Sequence, residues 1–289
     1  MTGAIAILGA NGVYGRHLVP RLATAGYRVR ALVRRPDVAG FARACGAEIA
    51  IADIFDADSL RQGLAGAGLC INLATALPGP SGRGDYAVND RVRREGVPRL
   101  IEACREAGVA RLLQQSIAMV GASGAAIASE DAIYQPDNDD LAAQAIRATQ
   151  DMEAAVRDSG LDWLILRGGL FYGPGTGFDD DWLARAAAGK LRLPGDGSDY
   201  VSLVHIADMA AATLAAIRVW PSRRALIVCD DRPVPWRELF AHIAASAGAP
   251  EPAPGGRAGF PSFRMSNAQA KQALAWSPFY ADFRTGLAR

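Results

Sequence analysis

The chain has 289 residues, 50% of them hydrophobic and 21% charged, with 31 Lys and Arg against 30 Asp and Glu for a formal net charge of +1. That length suits one large α/β unit with a smaller appended part. The balanced charge carries no field of one sign, which argues against a nucleic-acid or acidic-membrane partner. Cys45, Cys70, Cys104 and Cys229 are widely spaced, with no C-x-x-C pair and no neighbouring His, so they are expected to be reduced core thiols rather than zinc ligands. No apolar run reaches the length of a membrane span and no basic leader precedes the first apolar segment, so the expected location is the cytoplasm.

In chain order, short apolar runs at Ala4–Leu8, Val29–Val33, Ile49–Ile51, Leu69–Leu73, Leu112–Gln115, Trp163–Leu166 and Leu226–Val228 read as strands. Helical patterns over Gly12–Ala25, Ser59–Ala65, Ala87–Ala107, Asp139–Ser159 and Ile206–Val219 separate most of them. Strands alternating with helices predict right-handed parallel crossovers, hence an α/β, Rossmann-like, doubly wound parallel sheet. The rhythm breaks at the Gly/Pro segment Pro78–Gly84, in the polar stretch Gly121–Asp140 and over Phe171–Tyr200. Two amphipathic stretches, Trp236–Ala247 and Asn267–Ala275, close the chain around a Pro/Gly-rich segment. The expected division is a dinucleotide-binding domain over 1–170, which also takes in about 203–230, and a small C-terminal substrate lobe from 171–202 and 231–289.

The first strand runs into Gly9-Ala10-Asn11-Gly12-Val13-Tyr14-Gly15 and then a helix, the context in which a glycine motif carries meaning. Gly9 allows a tight turn, Gly12 lets backbone approach a pyrophosphate, Gly15 allows helix and strand to pack closely, and the helix N-terminus offers free N–H groups to phosphate. Asn11, Val13 and Tyr14 complete the candidate cradle. After the second strand, where an NAD site places a carboxylate for the ribose 2′-hydroxyl, the sequence reads Arg34-Arg35-Pro36. Two guanidiniums match the oxygens of a 2′-phosphate, so NADP is expected, with Asp37 leaving NAD open.

The G-x-x-G-x-x-G spacing, with Asp53-Ile54 after the third strand and Leu73-Ala74-Thr75 after the fourth, resembles the short-chain dehydrogenase/reductase superfamily. Val88-Asn89 opening a long helix, Ser116 ending the fifth strand, Arg167, Phe171-Tyr172-Gly173-Pro174-Gly175, Val204 through Asp208, and Leu274-Ala275-Trp276-Ser277-Pro278 extend the similarity to the extended branch, the NAD(P)-dependent epimerase/dehydratase group. In the last of these Ala275 replaces the family's glycine. The resemblance implies that Asp53 and Ile54 contact adenine, that Leu73 to Thr75 pass the adenine ribose and pyrophosphate, that Gly168, Leu170 and Phe171 lie beside the nicotinamide, and that Ser116 occupies the family's active-site Ser/Thr position. It further implies that the helices at 87–107 and 139–159 can pair two copies as a homodimer.

The family's Tyr-x-x-x-Lys pair, in which lysine lowers the tyrosine pKa, is missing. Lys190 and Lys271 are the only lysines, preceded at four residues by Ala186 and Asn267. With Glu153 taken as the family's helix glutamate, the tyrosine and lysine positions fall on Ala145 and Thr149. Substitute catalytic candidates are Ser116, Tyr134 and Tyr172; His205 resembles a strand-to-helix junction residue, and His17 and His242 helix-surface residues. Asp179-Asp180-Asp181 fit a helix N-terminus better than a metal site, and Asp139 or Asp140 a helix cap. Leu77, Ser116, Met119, Tyr134, Phe171, Tyr172, Phe178 and Trp182 are expected to wall an apolar cavity. The leading reading is an atypical NADP(H)-dependent oxidoreductase or epimerase acting on a small, largely apolar molecule. A non-catalytic NADP(H)-binding regulator similar to NmrA-like proteins, and a non-redox lyase or cyclase, are the alternatives.

Overall fold

The computed structural model describes residues 3–78, 84–257 and 259–287, so most of the expected Pro78–Gly84 loop lies outside the described residues. Seven strands form one parallel sheet: β1 (Ala4–Leu8), β2 (Val29–Val33), β3 (Glu48–Ile51), β4 (Ala67–Asn72), β5 (Arg111–Ile117), β6 (Asp162–Gly168) and β7 (Arg224–Val228). Their spatial order is β7-β6-β5-β4-β1-β2-β3. The chain therefore winds outward in both directions from the β1/β4 junction, the switch point where such sheets bind ligands at the carboxyl ends of their strands.

The helices are α1 (Val13–Thr24), α2 (Gly40–Ala44), α3 (Ala57–Leu64), α4 (Tyr86–Arg91), α5 (Val97–Glu106), α6 (Leu141–Arg157), α7 (Phe178–Ala187), α8 (Ile206–Val219), α9 (Trp236–Ser246), α10 (Ala268–Leu274) and α11 (Phe283–Leu287). Along each strand, side chains alternate between two cores. Ile5, Ile7, Leu113, Leu164 and Leu166 pack against α1 and α8, whereas Ala6, Leu8, Cys70, Leu112 and Ile165 pack against α3, α5 and α6. Strands buried on both faces are why the sequence shows short continuous apolar runs.

The single helix expected over Ala87–Ala107 is α4 and α5 joined by a wider π-helical turn, Val92–Gly96. Pro98 in the first turn of α5 has no N–H to donate, and the turn accommodates the lost bond. The same turn brings Gly96 against Ile54, where an added Cβ would lie 3.0 Å from the isoleucine side chain. A helix also forms inside the region read as irregular: α7 follows an N-cap at Gly177, with Asp179, Asp180 and Asp181 in its first turn. Asp140 caps α6 by accepting from Ala143 N at 2.9 Å.

A third apolar cluster lies over the carboxyl-end side of the sheet, built from Tyr172, Trp182, Leu191, Val201, Trp236, Phe240, Phe263 and Phe283 among others. Short strand pairs stitch it together, Leu170–Tyr172 with Leu203–His205 and Tyr200–Val201 with Val234–Pro235. Trp182, expected to wall an apolar cavity, is buried in this core, edge-on to Trp236 at 6.1 Å.

Candidate active site

At the switch point, Gly9 (φ +78°) crosses so close to the end of β4 that a Cβ would sit 2.7 Å from the Leu73 carbonyl. A Cβ on Gly15 would lie 2.3 Å from Ala10 O. Gly12 is the solvent-exposed N-cap of α1; no side chain caps that helix and no acid occupies its first turn. The positive partial charge at this helix end is therefore not compensated by any capping side chain or first-turn acid. Beside them the Asn11 side-chain amide is buried, and neither its oxygen nor its nitrogen has a partner. An unsatisfied buried amide beside a bare helix N-terminus fits a phosphate-bearing ligand, since each unmet group carries a desolvation penalty that ligand contact removes.

Arg34 and Arg35 are exposed beyond β2. Arg35 pairs with Asp37 at 3.4 Å, while Arg34 makes no hydrogen bond or ion pair among the described residues. Arg16, which sequence reading passed over, reaches this corner. Its Nε donates to Asn11 O at 3.0 Å and its guanidinium lies over the Phe41 ring at 5.2 Å. Its position one residue after Gly15 was the available signal.

Asp53 folds back on its own turn, accepting from Phe55 N at 2.9 Å, and Ile54 is buried. After β4, Asn72 accepts from Ala74 N and donates to Gln114, and Asn89 accepts from Ala76 N at 3.0 Å. These amides hold the Leu73-Ala74-Thr75 segment against the glycine turn. Gly168 is close-packed, a Cβ there falling 2.5 Å from the Phe171 ring, and Phe171 packs edge-on to Tyr14 at 5.6 Å. Leu170 opens the short strand paired with Leu203–His205.

Two candidates are not brought to the cleft. The Tyr14 side chain is buried between α1 and α8, its hydroxyl against Thr213 and Met209 O, so only its backbone belongs to the cradle. Burial raises its pKa far above the usual phenol value. Tyr172 is fully buried with its hydroxyl unpartnered under α11, where a Cβ on Gly286 would lie 2.3 Å from it. Burial, then the nearby Asp230 and Asp208 carboxylates, push that phenol up as well, which unsuits it to acid–base work. Tyr134 is half-buried, its backbone held by Val120 O on one side and the Gln150 amide on the other.

Ser116 is buried at the end of β5, and its Oγ donates to Glu153 Oε1 at 2.6 Å. Arg167 grips both oxygens of that carboxylate, at 2.9 and 2.7 Å, and Arg157 adds a bond at 3.0 Å. Burial opposes the charge on Glu153, but the Arg167 bonds, helped by Ser116 and Arg157, outweigh it and hold the carboxyl below its usual range. Ala145, Thr149 and Glu153 recur at four-residue spacing, on one side of α6. Thr149 is fully buried and spends its hydroxyl on Ala145 O at 2.7 Å.

Histidines play structural parts. His205 Nδ1 accepts from Ala207 N at the start of α8, and His242 packs edge-on against Phe283. His17 is not a free surface residue: its Nε2 meets Pro174 O at 3.0 Å, tying α1 to the turn after Tyr172.

The family model of the NAD dependent epimerase/dehydratase family matches residues 5–227. A 3-diazoavenalumate denitrifying reductase from Streptomyces sp is 34% identical over 309 residues, covering 99% of each chain. A ceramide reductase from Caulobacter vibrioides is 32% identical over 217 residues, 75% of this chain and 61% of the relative. Among solved structures, the dTDP-glucose 4,6-dehydratase DesIV from Streptomyces venezuelae with NAD and TYD bound superposes with a TM-score of 0.83 at 20% identity, over 99% of this chain and 95% of that one. The chain thus belongs to the NAD-dependent epimerase/dehydratase family of extended short-chain dehydrogenase/reductases, and is an NAD(P)-dependent enzyme of the oxidoreductase or epimerase type.

Proposed function

We propose that the protein is an NADP(H)-dependent reductase of a small, largely apolar molecule. The observation that carries the cofactor choice is the end of β2: Arg34 is exposed and has no hydrogen bond or ion pair among the described residues, while Asp37, the carboxylate that follows it in sequence, is paired with Arg35. A guanidinium with its donors free suits a 2′-phosphate, and a carboxylate already facing Arg35 is less well placed to accept from a 2′-hydroxyl. The backbone from Gly9 to Gly15 and the Asn11 amide would hold the pyrophosphate, and Arg34 and Arg35 the phosphate on the ribose. When bound, the reduced dinucleotide supplies hydride. Reduction is favoured over epimerisation by the full-length likeness to a reductase that acts on a diazo compound.

Titration with NADPH and NADH, followed by nicotinamide fluorescence, tests the reading. Charge-assisted bonds to phosphate are worth about 1.5–3 kcal/mol, so Arg34→Ala should weaken NADPH binding by ~10- to 100-fold and leave NADH binding unchanged. Equal affinity of the native protein for both dinucleotides would overturn the NADP assignment.

A further inference from the structure

β1 and β2 pair in parallel with Leu8 opposite Leu32, so the glycine turn after β1 and the Arg34–Arg35 segment after β2 leave the sheet side by side. The second segment passes through a short turn, Pro36–Val38, into α2, which is tied back to that turn by Arg43 Nη1 donating to Pro36 O at 3.4 Å. Arg16 spans the two. Its Nε donates to the carbonyl of Asn11 in the glycine turn at 3.0 Å, and its guanidinium carbon lies 5.2 Å from the centroid of the Phe41 ring on α2. Arg16 is exposed, and neither of its Nη atoms makes a hydrogen bond or ion pair among the described residues.

Folding does not account for a charge of this sign here. Arg16 lies in the first turn of α1, where the aligned peptide dipoles gather positive partial charge and a cation is disfavoured. No acid in that turn offsets it. The position suits an anion held between the two segments. With Nε bonded and the guanidinium laid on an aromatic face, less rotamer freedom is left to lose on binding, and two adjacent Nη donors remain in the planar geometry that matches phosphate oxygens. Arg35, by contrast, already faces Asp37.

Resting on the NADP(H) reading above, we propose that Arg16 joins Arg34 in gripping the ribose 2′-phosphate, Arg34 from the end of β2 and Arg16 from α1, with Phe41 setting the aim of Arg16. The two guanidiniums bring two positive charges to a phosphate monoester that carries close to two negative ones at neutral pH. Arg16 is thereby a determinant of NADP over NAD carried on the helix of the glycine motif itself.

Binding to the full chain tests this, with 2′,5′-ADP and 5′-AMP as probes that differ only in the 2′-phosphate, alongside NADPH and NADH. Calorimetry should show Arg16→Ala binding 2′,5′-ADP and NADPH at least ten-fold more weakly than the native protein, with 5′-AMP and NADH affinity unchanged. Phe41→Leu keeps an apolar side chain on α2 and removes the ring, so it should weaken NADPH binding about three-fold and spare NADH. Equal weakening of NADPH and NADH in Arg16→Ala would place this residue on the pyrophosphate or in support of the glycine turn, and overturn the proposal. Unchanged NADPH affinity in either variant would overturn it too. With Arg34→Ala still losing NADPH, those results leave the NADP(H) reading standing, whereas a native protein that binds both dinucleotides equally defeats that reading and this proposal together.

Discussion

Asp230 sits just past β7 with one carboxylate oxygen buried and unpartnered, close in charge terms to the Tyr172 hydroxyl, which is also unpartnered. Burial pushes its pKa up to about 8; the Arg232 backbone N–H opposes this, and Asp282, Asp231 and Asp208 add to it. The folded chain therefore holds a proton that the unfolded chain releases near pH 4, so stability falls as pH rises from about 4 to about 8 and stays lower above that. Asp230→Asn keeps the bond to Arg232 N and removes the titration. It should raise the melting temperature at pH 9 by about 4 °C, the equivalent of ~2 kcal/mol for a chain of this size, and flatten the pH dependence; an unchanged profile would refute the assignment. Ser116 teaches the complementary lesson. Its position at a strand end was legible, but its role as a donor to Glu153 was not, because the partner lies 37 residues on and is chosen by helix packing.

At the scale of elements, α1 and α10 make opposite cases. A Cβ on Gly15 would overlap Ala10 O, so Gly15→Ala should force α1 off the β1 turn, lower the melting temperature by several degrees and abolish dinucleotide binding in the fluorescence titration. Ala275, by contrast, ends α10 in the left-handed region at φ +47°, where the family motif has glycine. A left-handed alanine costs roughly 1 kcal/mol relative to glycine. Ala275→Gly should therefore raise the melting temperature by about 2 °C in calorimetry, with cofactor affinity untouched. Both glycine positions could be anticipated from motif spacing, since backbone conformation is set by near neighbours. The π-helical turn before Pro98 could not, because a proline in a helix pattern reads equally as a start, a kink or an end.

Across the whole molecule, the C-terminal segment closes back on the core. Asp208 at the start of α8 accepts from the Phe279 and Tyr280 N–H groups at 2.9 and 2.8 Å, Arg284 reaches Glu238 and Asp282, and Gly286 seats directly on the Tyr172 hydroxyl. Gly286→Ala should lift α11, costing about 1–3 kcal/mol from overpacking, and show as faster hydrogen exchange confined to residues 276–287; exchange unchanged there would mean that the contact is not a seat. The sequence by itself determined the seven strands, the alternating helices, the glycine turn and the basic strand end, because periodicity, turn chemistry and strand-end position are local properties carried by adjacent residues. Only the tertiary structure decided that Tyr14, Tyr172 and Trp182 serve the core, that His17 ties α1 to a turn 157 residues away, and that the proton of Ser116 belongs to Glu153. Those outcomes depend on which side chains the parallel crossovers bring face to face, and burial and hydrogen-bond satisfaction act only once they have met.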